Sequence, residues 1–128
     1  MKTDSLLSKA EQAAASARLL LDSGDTDGAC NRAYYAMFDA ARAALLSCGI
    51  PPESARTHGG LISAFSMHLV KSGQVSIELG KSINKAEELR LIADYKGDPI
   101  EYEDAAWVVE TARGFVDAIR ALVSSSSV

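Results

Sequence analysis

Aromatic residues are scarce: one Trp, four Tyr and three Phe in 128 residues, 6% of the chain, although 48% of it is hydrophobic. Small side chains therefore dominate the apolar positions, and alanine-rich helices of this kind approach closely and pack as bundles. Strand-like alternation of apolar and polar residues is missing; the one weak stretch, Gln74-Val75-Ser76-Ile77, is too short to build a sheet. No apolar run nears the roughly 18 residues of a membrane span. Met1-Lys2-Thr3-Asp4 lacks the apolar core of a signal peptide, so a cytoplasmic protein with no membrane partner is expected.

Cysteine and histidine are equally sparse. Cys30 and Cys48, if both stand on one helix, lie about 27 Å apart at 1.5 Å per residue and cannot form a disulfide within the chain. Two reduced, half-buried thiols suit a cytosolic protein. Two Cys and two His at unrelated spacings make no zinc pattern, and the Glu-x-x-His pairs of carboxylate-bridged metal bundles are absent. Neither a metal nor a cofactor is expected. Gly59-Gly60 lacks the strand and flanking pattern of a phosphate loop. The net charge of −4 argues against coating of nucleic acid by bulk electrostatics, though it leaves room for a small arginine site.

What is present reads as one all-α domain, an up-and-down antiparallel bundle of four to five helices over residues 1–128. Its core spans about 4–123, with a serine-rich tail, 124–128, that frays. Helices are expected at about Asp4–Ser23, Asp25 or Thr26–Cys48 and Ser76–Tyr95, with a third that follows the polar loop Glu53–Gly60 and ends near Lys71 and a fifth that starts near Glu101 and carries its apolar stripe to Leu122. The second is apolar on most sides (Ala29, Ala33, Tyr34, Met37, Ala40, Ala41, Ala44, Leu45), which marks a central helix or one that also faces a partner. Gly24 ends the first helix, and Gly49-Ile50-Pro51-Pro52 ends the second. Thr57 is a plausible N-cap for the third. Ile77, Ile83, Ala86, Leu89, Ile92 and Ala93 make the apolar face of the fourth. His68 reads as a partly buried helix residue.

Two polar clusters interrupt this pattern. On the second helix Asn31, Arg32, Tyr35, Asp39 and Arg42 fall within an arc of about 100°. Guanidiniums can hold phosphate oxygens as forks, and a tyrosine ring can stack on a base. The plainer account is a solvated face with intrahelical Arg–Asp pairs. On the fourth helix Glu87, Arg90 and Asp94 stack, with Tyr95 beside them. Asp94 either forms a surface pair with Arg90 or holds its guanidinium toward a cleft, where it could stabilise a phosphate charge. His58, after Arg56 and Thr57 and just before a helix, either joins an anion site or simply caps.

Asn31-Arg32-Ala33-Tyr34-Tyr35-Ala36-Met37-Phe38 resembles the signature of small prokaryotic HEPN-domain proteins, the UPF0332 branch in particular. Thr57-His58-Gly59-Gly60, Leu69-Val70-Lys71-Ser72-Gly73 and Arg90-Leu91-Ile92-Ala93-Asp94-Tyr95 follow in that family's order. The resemblance covers about Ala10 to Leu122. It implies a helical bundle that pairs as a homodimer, with a polar cleft near the dimer interface. It also implies a minimal nucleotidyltransferase as partner in a toxin–antitoxin or related pair. Several branches of the family are metal-independent ribonucleases, in which an arginine precedes a histidine with four to six residues between. Here Tyr95 stands where that histidine would be, and no arginine has a histidine at the required distance. A phenol stays protonated at neutral pH and is a poor general base.

Three readings follow. A binding module presents Asn31, Arg32, Tyr35, Asp39, Arg42 and His58 to a nucleotide, an RNA or a nucleotidyltransferase partner. A metal-independent endoribonuclease uses Arg90, Asp94 and Tyr95, with His58 as a further candidate. A homodimeric scaffold uses both clusters only to hold itself together.

Overall fold

The computed structural model describes residues 2–50 and 56–126. Five helices make up the described chain: α1 (Lys2–Asp22), α2 (Thr26–Ser47), α3 (His58–Phe65), α4 (Ile77–Tyr95) and α5 (Tyr102–Ser126). No strand occurs among the described residues. No described helix is long and apolar enough to cross a membrane. Pro51 and Pro52, expected to stop the second helix, and the last two tail residues lie outside the described residues. Ser124 to Ser126 continue α5 rather than leaving it.

Caps fix where the helices begin. Asp25 accepts from the Gly28 amide at 2.8 Å and starts α2, while Gly24, at φ +90°, supplies the reversal out of α1. The short link makes α1 and α2 an antiparallel hairpin. Thr57 Oγ1 accepts from the Gly60 amide at 2.9 Å and opens α3. Ser76 does the same for α4, accepting from the Leu79 amide at 3.1 Å.

As its sequence implied, α2 is the central helix, packed against α1, α3, α4 and α5. All eight of its expected apolar residues are buried. Alanines on α1 (Ala10, Ala13, Ala17) and α2 (Ala33, Ala40, Ala44) are fully buried, and larger plugs such as Phe65, Phe115 and Ile119 fill the remaining space. The Arg120 guanidinium grips Glu11 with two hydrogen bonds, 3.2 and 2.8 Å, and ties α5 to α1. The connection into α5 is anchored by Asp27 on α2, whose Oδ1 accepts from the Ile100 amide at 2.9 Å.

Three expectations need correction. Residues Ser66–Val70 leave α3 as a π-helical turn, closed by the Lys71 amide on the Ser66 carbonyl at 3.0 Å. The wider turn changes the phase of the helix, and His68 ends up exposed rather than partly buried. Ile77 and Ile92 are exposed on α4, whose buried face is Ile83, Ala86, Leu89 and Ala93. The two thiols are not alike: Cys30 is buried and Cys48 exposed.

Candidate functional site

A buried phenol needs a hydrogen-bond partner. Tyr34 is fully buried on the α3- and α4-facing side of α2, and its hydroxyl oxygen lies 2.8 Å from Nδ1 of His58. Thr57 places that histidine, because its cap fixes the first turn of α3. The imidazole sits among the rings of Tyr34, Tyr35 and Phe38, at centroid separations of 5.5, 5.7 and 4.8 Å. The His58 side chain retains 36% of its exposure. Nε2 makes no hydrogen bond among the described residues.

Behind this ring stands the stack on α4. Arg90 is only 7% exposed. One terminal nitrogen donates to Glu87 Oε1 and the other to Asp94 Oδ2, both at 2.9 Å. The Tyr34 ring lies under the guanidinium at 5.1 Å. Asp94 also accepts a long contact, 3.4 Å, from the Asn31 side-chain amide on α2. Burial works against the charge on Arg90, but the hydrogen bond to Asp94 and the Glu87 carboxylate outweigh it and hold its pKa above the ordinary value. Burial, with Glu87 close by, pushes the Tyr34 phenol well above its usual range. Glu87 Oε2 and Arg90 Nε are both buried without a hydrogen bond among the described residues. Glu87 Oε2 lies 3.9 Å from His58 Nδ1. One guanidinium against two carboxylates leaves the stack net negative while the histidine is neutral.

The other polar residues of α2 turn toward α1. Asp39 is 8% exposed, and burial raises its carboxyl pKa against the pull of Lys9, Arg42 and Arg32. Among the described residues none of those three cations has a carboxylate within ion-pair distance. Arg42 instead lies over the Phe38 ring at 6.0 Å. Arg90 is thus saturated by acids, whereas Arg32 and Arg42 have no carboxylate within ion-pair distance among the described residues.

A family model described as the HEPN domain matches residues 3–122. The chain belongs to the HEPN family. A UPF0332 protein of Thermotoga maritima is 40% identical over 110 residues, covering 84% of this chain and 80% of that protein. A UPF0332 protein of Gloeobacter violaceus is 41% identical over 92 residues, 72% of this chain and 71% of its own. A Methanocaldococcus jannaschii protein designated a candidate toxin is 34% identical over 115 residues, 90% and 84% of the two chains.

In this HEPN chain the α2 strip is divided between two neighbours. Asn31 and Tyr35 turn to the α4 stack and His58, whereas Arg32, Asp39 and Arg42 gather with Lys9 of α1. Arg90 and Asp94 are adjacent, as their spacing implied. Tyr95 is 79% exposed and makes no hydrogen bond or ring contact among the described residues. By its helical position Tyr34 reads as a core residue, and nothing in the spacing of Phe38 or Lys9 marks either for the site. The available signal was Tyr34 itself: a phenol on a buried face has a hydroxyl to satisfy. No group of three or more His, Cys, Asp or Glu that could hold a metal ion occurs among the described residues.

Proposed function

We propose that this HEPN protein binds a phosphate-bearing ligand, a nucleotide or single-stranded RNA, along the strip from Lys9, Arg32 and Arg42 to Tyr35, Phe38 and His58. In this reading it works in the cytoplasm as a homodimer, in a toxin–antitoxin-type pair with a nucleotidyltransferase-domain protein. The candidate-toxin designation of a relative that covers most of the chain supports the pair. The observation that carries the ligand is the contrast between arginines. Arg90 has both terminal nitrogens occupied by carboxylates, whereas among the described residues Arg32 and Arg42 have no carboxylate within ion-pair distance. Guanidiniums without acid partners beside the half-buried rings of Tyr35 and Phe38 suit a backbone phosphate with a stacked base. The test is fluorescence anisotropy of a labelled single-stranded RNA with the wild type, Arg32→Ala and Arg42→Ala. Each substitution should weaken binding about tenfold, as loss of a charge-assisted contact does. Equal affinity for all three proteins would refute the reading.

His58 favours a second reading, metal-independent RNA cleavage. Its Nδ1 is held by Tyr34, with Glu87 behind, and its Nε2 makes no hydrogen bond among the described residues. An oriented imidazole with one free nitrogen is what a general base requires. With the ring proton on Nδ1 and donated to the Tyr34 oxygen, Nε2 would take the proton of an RNA 2′-hydroxyl as its oxygen attacks phosphorus. The 5′-oxygen would leave with a proton from water, and a 2′,3′-cyclic phosphate would remain. Incubation of structured RNA with the protein in EDTA, beside His58→Gln, decides it: intact RNA with the wild type removes this reading and leaves the binding reading standing.

A further inference from the structure

The corner between α4 and α5 carries a groove of about 260 Å³. Its apolar lining comes from Leu89, Ile92 and Ile100, and its acidic rim from Asp98, Glu101 and Asp104. Leu89 and Ile100 are buried beneath it, while Ile92 stays 40% exposed. Among the described residues Ile92 is the one exposed large apolar side chain of this lining. The floor is fixed rather than loose, because the Ile100 amide is held by Asp27 of α2. A preformed site spares a ligand part of the ordering cost of binding.

The charges around the groove are unspent. None of the three rim carboxylates has an ion pair among the described residues, and Lys96 is the one cation in the lining. Part of that acidity suits the positive end of the α5 dipole. Asp98, in the connection before the helix, has no such role. Phosphates would be repelled here, so nucleic acid is the wrong occupant. A second copy docked through this same patch would be an isologous contact, with acidic rim against acidic rim, and would be repelled too.

We propose that this groove docks a basic, apolar-anchored segment of a partner protein. An aliphatic side chain of the segment enters over Leu89 and Ile100, and its Lys or Arg neighbours meet Asp98, Glu101 and Asp104. The surface shares no residue with the cation–aromatic strip, so a phosphate ligand and a protein partner can be held at once. The partner's role rests on the pair reading above; the chemistry of the groove does not.

The test uses two labelled amphipathic peptides of about 14 residues, one Leu/Lys and one Leu/Glu, titrated with the full chain by anisotropy. The Leu/Lys peptide should bind at least about tenfold tighter, and Ile92→Ser and Asp98→Lys should each weaken it several-fold. Asp117→Lys, an equal charge change on the far face of α5, should leave it unchanged. Two results would overturn the inference. One is a Leu/Lys peptide that binds no better than Leu/Glu, as it would if a second copy already filled the groove. The other is an Asp117→Lys loss equal to that of Asp98→Lys, which would mark the attraction as general charge. Neither result bears on RNA binding at the strip.

Discussion

The Tyr34 hydroxyl meets His58 Nδ1 at 2.8 Å, so a residue from the central helix sets the orientation of a ring on the short helix that follows it. The contact joins the hydrophobic core to the polar surface through one phenol. Tyr34→Phe keeps the ring under Arg90 and removes only the hydroxyl. We expect a loss of about 1 kcal/mol in urea denaturation, the usual net worth of such a bond. We also expect the His58 ring resonances to broaden as the imidazole gains freedom. Unchanged stability together with unchanged His58 resonances would contradict this account.

Arg90 acts as a structural pin in this arrangement. Removing it leaves Glu87 and Asp94 facing each other without a counter-charge, and Glu87 is largely shielded from water. Breaking a buried pair from one side commonly costs 3–5 kcal/mol; both acids keep some exposure here, so Arg90→Ala should cost about 3 kcal/mol. Arg90→Lys should recover little, because a single ammonium cannot fork to two carboxylates while stacking on Tyr34. Denaturation curves of both variants check this, and a loss below about 1 kcal/mol for Arg90→Ala would show that the stack does not support the fold.

Asp39 gives the pH dependence. Its carboxyl pKa is raised in the folded protein by burial, so the native state holds the proton more tightly than the unfolded chain. Stability from this group is therefore present at low pH and lost as pH rises from the ordinary carboxylate value through the higher folded one. Asp39→Asn lacks that loss. The variant should gain on the wild type as pH rises above about 4, the ordinary carboxylate value. A constant difference across that range in urea denaturation would show that Asp39 is not perturbed by folding.

The thiols should separate cleanly. Burial, aided by Asp27, pushes Cys30 up to about 12, whereas Cys48 is exposed. The thiolate is the reactive form. A thiol reagent at pH 8 should therefore modify one cysteine in the native protein and two after denaturation. Rapid native modification of both would mean that α2 opens readily.

Most of the fold was legible in the sequence, because helix starts and apolar faces are local. Thr57 was readable as a cap, Gly24 as a stop, and the all-round apolarity of Ala29 to Leu45 as a central helix. The candidate site was legible only as residue types. Helical spacing gives an angle about one axis and says nothing of which neighbour lies at that angle. Asn31 and Arg32 thus looked like members of one strip, although one turns to α4 and the other to Asp39 near α1. Tyr34 was hidden for the same reason: its ring belongs to the core and its hydroxyl to the site. Ile77 and Ile92 count as apolar by period, yet they lie at the margins of a helix whose buried face is narrow. The π-helical turn after Phe65 depends on bonding between residues five apart, for which this sequence offers no local signature.

The most direct measurement of the central claim is the salt dependence of single-stranded RNA binding, compared between the wild type and the double variant Arg32→Ala/Arg42→Ala. Each phosphate contact on a single strand contributes about 0.7 to the slope of log affinity against log salt. If Arg32 and Arg42 hold phosphates, the double variant should bind more weakly and its slope should be shallower by about 1.4. Identical slopes, with the fold intact by circular dichroism, would contradict the assignment of the α2 strip as a phosphate-binding surface.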